Sequence, residues 1–170
     1  MSESRESILE KAYNLGFSYE QEYRGCSQCA IAAIQETLGI EDEAVFKAGT
    51  GLAGGILLTG TGTCGALCGG IMVLSSIAGR ERKDFADMGG RLFLVGEMGS
   101  ELRNKFIEEY GSISCRDIQY KLFGRSYNLM DPVDKEKFDK DGAHTDKCPS
   151  VVGNAARWAV ELILELQARQ

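Results

Sequence analysis

Apolar residues recur at helical spacing along most of this chain. In the first segment, about residues 4–23, they fall on one face of a helix, and Gly25 ends the pattern. The segment from Cys26 is rich in alanine and stops at Gly39, which predicts a second, well-packed helix. Residues 41–48 begin with carboxylates, which stabilise the positive end of a helix dipole, so a short third helix is expected there.

The middle of the chain predicts two further helices. A helix is expected to start after Cys64, and the apolar residues 71–78 continue it as a buried helix that ends at Gly79. Residues 84–110 are expected to form one long helix, kinked near Gly89 and Gly90. Its expected buried stripe consists of Phe85, Met88, Leu92, Val95, Met98, Leu102 and Phe106.

The last third begins and ends with a predicted helix. Ser114 and Asp117 have the spacing of a capping box, so a helix should begin there and run through Leu122. The charged residues 131–147 are expected to form a surface loop. Cys148 precedes a proline, and proline favours the first position of a helix, so Cys148 is expected to cap the last helix.

A glycine-rich segment, Gly49–Gly70, lies between these helices. It lacks the serine and charge content of a flexible linker, so we expect close backbone packing or room for a bound group. The whole pattern predicts an all-α fold, a single-domain bundle of about six or seven helices over residues 1–170, with a Gly-rich central loop. The apolar stretch Gly51–Leu74 makes a homodimer plausible.

Composition limits the possible partners. The chain has 170 residues and a formal net charge of -6, which disfavours nucleic acid and anionic membrane as partners. Its apolar runs, such as Ile71–Leu74, are far too short to cross a bilayer. The polar N-terminus lacks the apolar core of a signal peptide, so we expect a soluble, cytoplasmic protein. In that compartment cysteines more often act as ligands, redox thiols or nucleophiles than as structural disulfides.

Four of the six cysteines stand at predicted helix starts, namely Cys26, Cys64, Cys115 and Cys148. The unpaired N–H groups of a helix start stabilise a thiolate and lower the pKa of a thiol. If folding brings these helix starts together, the four sulfurs form one redox-active site. The alternative is that they are scattered buried thiols, because cysteine is among the most buried residue types.

The other two cysteines lie inside predicted helices. Cys29 follows Cys26 by three residues and Cys68 follows Cys64 by four, so each shares a helix face with its neighbour. They are expected to be auxiliary redox thiols or core residues. His144, the only histidine, is expected to be a solvated loop residue, although it could approach the site as a ligand or proton donor.

The order of these motifs resembles a known family. The segments Cys26-Ser-Gln, Cys64-Gly-Ala-Leu-Cys-Gly69, Ser112-Ile-Ser-Cys115-Arg-Asp and Cys148-Pro are similar to those of the bacterial and archaeal C_GCAxxG_C_C redox-active proteins. These relatives are small and helical, and a similar domain of split-Soret-type cytochromes is associated with an iron–sulfur cluster. The resemblance implies that Cys26, Cys64, Cys115 and Cys148 are the functional set, with Gly65 and Gly69 making room for a cofactor.

Three functions are compatible with this pattern. The first is a redox protein that binds an iron–sulfur cluster, [2Fe–2S] rather than [4Fe–4S], and exchanges electrons with a redox partner protein as an electron carrier or oxidoreductase. The second is metal-free thiol–disulfide chemistry between Cys26 and either Cys29 or Cys64. The third is a structural or sensory zinc site with four cysteine ligands, although the long spacing between the cysteines disfavours it.

Overall fold

The computed structural model describes residues 4–169, which fold as a single all-α domain. Apart from one isolated bridge, between Thr63 and Ser114, the described residues form no strand pairing. They contain eight α-helices: α1 (Arg5–Glu22), α2 (Cys26–Leu38), α3 (Glu43–Ala48), α4 (Gly65–Ala78), α5 (Arg91–Tyr110), α6 (Cys115–Phe123), α7 (Pro132–Lys140) and α8 (Cys148–Ala168). Short 3₁₀ turns occupy Gly49–Leu52 and Arg82–Asp84, and a π turn occupies Ala143–Lys147. Across residues 4–169, no helix combines the length and the apolar character that a membrane crossing needs.

Helix α8 forms the centre of the bundle and packs against α1, α2, α4 and α5. Its closest approach to α1 uses a glycine on each helix. A Cβ on Gly16 would stand 2.9 Å from the Val152 carbonyl oxygen, and a Cβ on Gly153 would stand 2.8 Å from the Tyr13 ring. The two backbones therefore approach more closely than larger residues would allow.

Helices α2 and α4 also pack through a glycine. A Cβ on Gly69 would collide with the Ser27 carbonyl oxygen and lie 3.1 Å from the Ala30 Cβ. The core side chains around this contact are fully buried, including Ile31, Ile34, Leu67 and Leu74. Gly69 thus serves the packing of two helices that carry cysteines at their starts.

The prediction of one long helix over residues 84–110 is wrong at its beginning. Helix α5 begins at Arg91, because the Asp87 carboxylate accepts hydrogen bonds from the N–H groups of Arg91 and Leu92. Phe85 and Met88, which precede the helix, are 71% and 88% exposed and do not belong to a buried stripe. Leu92 is also exposed, whereas the stripe is buried from Met98 onward, with Leu102 and Phe106.

The predicted surface loop over residues 131–147 is also wrong, and it accounts for the additional helix. Asp131 caps α7 by accepting from the Asp134 N–H, and Pro132 occupies the first turn. Phe138 of this helix is buried against Tyr127 and Ala143 in a small second core. The segment therefore covers one side of the bundle as packed structure.

Candidate functional site

One cavity of about 200 Å³ collects the four cysteines that stand at helix starts. Cys26, Cys115 and Cys148 are the first residues of α2, α6 and α8, and Cys64 is the N-cap of α4. All four side chains line the cavity, together with apolar side chains such as Val151. The starts of four helices that are distant in sequence therefore meet at one place.

The isolated bridge fixes two of these cysteines relative to each other. Thr63 pairs with Ser114 in antiparallel fashion. The Cys64 N–H donates to the Ile113 carbonyl at 2.8 Å, and the Cys115 N–H donates to the Gly62 carbonyl at 2.9 Å. Ser114 is the N-cap of α6, as predicted, but its side chain makes no cap hydrogen bond.

A left-handed turn forms another wall of the cavity. The five residues Gly54, Gly55, Ile56, Leu57 and Leu58 all have positive φ, between 52° and 72°. Three of them are not glycine, and such residues in this region are strained. Hydrogen bonds hold the turn, including those from the Leu57 N–H to the Gly51 carbonyl and from the Gly60 N–H to the Gly54 carbonyl.

Glycines let this wall and the helix starts come close to the sulfurs. A Cβ on Gly65 would stand 2.5 Å from the Cys26 Sγ, and a Cβ on Gly55 would stand 2.7 Å from the Cys115 Cβ. Of the two glycines that the motif suggests, Gly65 thus contacts a site sulfur. Gly69 contacts α2 and is not part of the cavity wall.

Burial dominates the acidity of the site thiols. It raises the pKa of Cys26 well above the ordinary value and raises the pKa of Cys64 to about 12. The N–H groups of Gly54 and Ser27 lower the pKa of Cys26 in part, and N–H groups in the first turn of α4 do the same for Cys64. The expectation that helix starts lower the pKa of these thiols is therefore correct for the backbone contribution but wrong for the net shift.

Cys115 and Cys148 show the same balance. Burial raises the pKa of Cys115 to about 12, while a hydrogen bond from the Gln119 amide lowers it in part. Burial also raises the pKa of Cys148, and the neighbouring charge of Glu20 and of the other three site cysteines adds to this shift. The four sulfurs are thus within electrostatic reach of one another.

Gln119 was not anticipated from the sequence. This buried amide donates from Nε2 to the Cys115 Sγ at 3.5 Å and accepts at Oε1 from the Tyr127 N–H at 2.8 Å. The spacing of four residues from Cys115 was the only indication in the sequence. Gln119 therefore holds one site sulfur and the following loop in place.

The two remaining cysteines do not line the cavity. The Cys29 Sγ is buried and donates to the Arg24 carbonyl oxygen at 3.1 Å. Cys68 is partly buried inside α4. These two thiols therefore lie outside the cavity wall, although Cys29 is within electrostatic reach of Cys26 and Cys68 of Cys64.

His144 is not a solvated loop residue. It lies in the π turn with its side chain 18% exposed, and it lines the cavity. Its Nδ1 is 3.3 Å from the Glu20 Oε1, and its Nε2 is 3.4 Å from the Asp139 Oδ1. Glu20 and Asp139 also line the cavity and were not anticipated as site residues.

The side chains are not arranged around a single point. Among residues 4–169, no group of three or more histidine, cysteine, aspartate or glutamate side chains is close enough to hold one metal ion. The donor set that the cavity offers is four thiols around one largely apolar space.

Comparison with family models assigns residues 25–162 to the family described as "Putative redox-active protein (C_GCAxxG_C_C)". Comparisons with curated proteins and with solved structures gave no match. The relation to split-Soret-type cytochromes stays a prediction. The matched range includes all six cysteines and covers most of the chain. This chain belongs to the C_GCAxxG_C_C family of redox-active proteins.

Proposed function

We propose that this protein is an electron-transfer protein in which Cys26, Cys64, Cys115 and Cys148 hold an iron–sulfur cluster. The observation that supports this proposal most strongly is that all four side chains line one cavity of about 200 Å³. Four cysteine thiolates are the common ligand set of [2Fe–2S] and [4Fe–4S] clusters. We propose the [2Fe–2S] form, and the iron content of the loaded protein distinguishes the two.

The surroundings of the sulfurs suit thiolate ligands. Backbone N–H groups act on Cys26 and Cys64, and the Gln119 amide donates to the Cys115 Sγ at 3.5 Å. Such contacts stabilise ligand sulfurs and tune the potential of a bound cluster. When bound, the cluster would supply a one-electron redox couple. The chain's own residues hold the ligands, exclude water and set the charge around them.

The raised pKa values favour a metal-dependent site over free thiol chemistry. Burial raises the pKa of Cys64 to about 12 and that of Cys26 well above its ordinary value, so both thiols are protonated near neutral pH. A protonated thiol is a poor nucleophile in disulfide exchange. Bound iron would supply the positive charge that these thiols need in order to ionise. Slow alkylation of the metal-free thiols at pH 7 would support a metal-dependent site over metal-free thiol–disulfide chemistry.

The arrangement also favours a cluster over a single zinc ion. A zinc ion needs four ligands that converge within about 2.3 Å of one point. In the described part of the chain, three ligating side chains that converge in this way are not found. A cluster of several atoms allows its ligands to stand farther apart.

The test is anaerobic reconstitution with ferrous iron and sulfide, followed by iron and acid-labile sulfide analysis and visible spectroscopy. We expect two irons and two sulfides per chain with charge-transfer bands that bleach on reduction. A matched sample loaded with zinc alone should keep less zinc after desalting than the reconstituted sample keeps iron. Protein that retains zinc in stoichiometric amount but no iron or sulfide would contradict the proposal.

A further inference from the structure

A buried carboxylate faces the four-cysteine cavity and has an oxygen without a well-formed hydrogen bond. Glu20 of α1 is 2% exposed and lines the cavity. Its Oε1 lies 3.3 Å from the His144 Nδ1. Its Oε2 is buried without a well-formed hydrogen bond among the described residues, and the same holds for the His144 Nδ1 and the Asp139 Oδ1. The Cys29 thiol also interacts with the Glu20 carboxylate. Burying a carboxylate lowers the stability of the fold unless the carboxylate is fully paired. A glutamate with a purely structural role is therefore not expected at this position.

The imidazole of His144 connects this carboxylate to the protein surface. Its Nε2 lies 3.4 Å from the Asp139 Oδ1. Asp139 is partly exposed and pairs with the exposed Arg24 at 3.3 Å. Asp139, His144 and Glu20 therefore form a series of ion-pair contacts of 3.3–3.4 Å from the partly exposed end to the cavity. These contacts must shorten to hydrogen bonds for a proton to pass.

Two contacts fix the imidazole between the carboxylates. The Gln21 amide donates to the Thr145 carbonyl at 2.5 Å, which ties the π turn to α1. The Phe138 ring packs edge-on against the imidazole, with centroids 5.6 Å apart. A histidine with a carboxylate at each nitrogen is the arrangement by which proteins orient an imidazole for proton transfer.

We propose that Asp139, His144 and Glu20 form a proton-transfer path that couples reduction of the four-cysteine site to uptake of one proton. This inference rests on the proposed function. An electron from the redox partner protein adds one negative charge to an apolar cavity, where uncompensated charge is costly. One proton enters from solvent at Asp139 and binds the His144 Nε2, while the Nδ1 proton moves to Glu20. The cavity then gains one electron and one proton, and oxidation reverses both transfers.

Other charged and titratable groups face this path from neighbouring elements. These groups determine the electrostatic potential along the path, and the substitutions described below leave them unchanged. These groups are Arg24, Lys135, Cys26, Cys29, Cys64, Cys115 and Cys148.

The test measures the midpoint potential of the reconstituted protein between pH 5.5 and 9. We expect the wild-type potential to fall with pH, by up to about 59 mV for each tenfold change in proton activity in a one-electron, one-proton couple. Glu20→Gln and Asp139→Asn should flatten this slope while iron and sulfide content stay unchanged. Glu136→Gln is the control, because Glu136 lies on the same helix as Asp139 but is exposed and pairs with Lys140.

The outcomes separate the two proposals. A loaded wild-type protein with a flat pH profile, or variants that keep the wild-type slope, would overturn the proton path and leave the cluster proposal intact. Failure of the wild-type protein to take up iron and sulfide would overturn both, because the path would have no added charge to compensate. Asp139→Asn keeps the test valid if a change at buried Glu20 impairs folding, because Asp139 lies at the partly exposed end.

Discussion

The Sγ of Cys26 lies 2.5 Å from the point where a Cβ on Gly65 would stand. Gly65 is the first residue of α4 and directly follows Cys64, so one glycine separates two of the four site sulfurs. The same Cβ would also meet the Leu52 carbonyl oxygen at 2.8 Å. A side chain at position 65 is therefore incompatible with both the backbone and the sulfur as they stand.

Gly65→Ala is expected to lower the free energy of unfolding by about 1–3 kcal/mol, because the added methyl overpacks a filled site. It should also abolish stable iron retention by displacing the Cys26 sulfur. Gly96→Ala is the matched control, since Gly96 lies inside α5 with nothing within 4 Å of its Cβ position. That change should be neutral or stabilising by up to about 1 kcal/mol. Urea unfolding and iron analysis of both variants check this, and similar behaviour of the two would count against the glycine contact.

Substitutions of Gln119 should separate its two hydrogen bonds. Gln119→Glu keeps an acceptor for the Tyr127 N–H but removes the donor to the Cys115 Sγ and adds negative charge beside it. We expect weaker iron retention, together with a loss of stability because the new carboxylate is buried beside a sulfur. Gln119→Leu removes both bonds and leaves a buried N–H unpaired, which should cost about 1–3 kcal/mol of stability. Equal iron retention in Gln119→Glu and wild type, measured during competition with a chelator, would contradict the assigned role.

The left-handed turn predicts a stabilising substitution. Leu57 has φ of 52° and is 66% exposed, so its side chain gains little from the strained backbone. Leu57→Gly should relieve about 1–2 kcal/mol of strain against about 0.5–1 kcal/mol of added chain entropy, a net gain of about 0.5–1 kcal/mol. Leu92→Gly, at an exposed position in the first turn of α5, should instead be destabilising. Thermal unfolding of both variants tests this, and a loss of stability in Leu57→Gly would show that the turn is not strained.

The metal-free, reduced protein should lose stability in alkali. Burial raises the pKa of Cys64 from an ordinary value of 9.0 to about 12, so the fold favours the protonated thiol. This contribution is complete below about pH 9 and is lost as pH rises through 12. Each such thiol should make the free energy of unfolding fall by up to about 1.4 kcal/mol per pH unit in that window.

Cys64→Ala provides the control for this pH dependence. It should reduce the slope of the free energy of unfolding against pH between 9 and 11, whatever its effect on absolute stability. Urea unfolding under anaerobic, reducing conditions measures the slope. An unchanged slope in Cys64→Ala would mean that this thiol does not titrate as described.

Local sequence features were sufficient to predict where the cysteine-bearing helices begin. Gly25 and Pro149 mark the starts of α2 and α8 within one residue. The beginning of α5 was missed because the Asp87 side chain caps the helix after two glycines, which hydrophobic spacing does not register. The convergence of the four starts depends on long-range packing, which helical periodicity alone cannot supply.

The buried polar residues of the site could not be predicted from the chain. Glu20 lies in an amphipathic helix, where a glutamate is usually solvated. It is buried because α7 and the π turn bring Phe138 and His144 over that part of α1. Since the segment that covers it looked like a charged loop, neither the burial of Glu20 nor that of His144 was visible in the sequence.

The most direct test of the four-cysteine site is the iron and acid-labile sulfide content of anaerobically reconstituted single variants. Serine substitutions at Cys26, Cys64, Cys115 and Cys148 should each cause loss of most bound iron and sulfide. Cys29→Ser and Cys68→Ser, which change thiols that do not line the cavity, should retain wild-type content. Equal loss in all six variants, or full retention in the first four, would contradict the assignment of these four cysteines as one site.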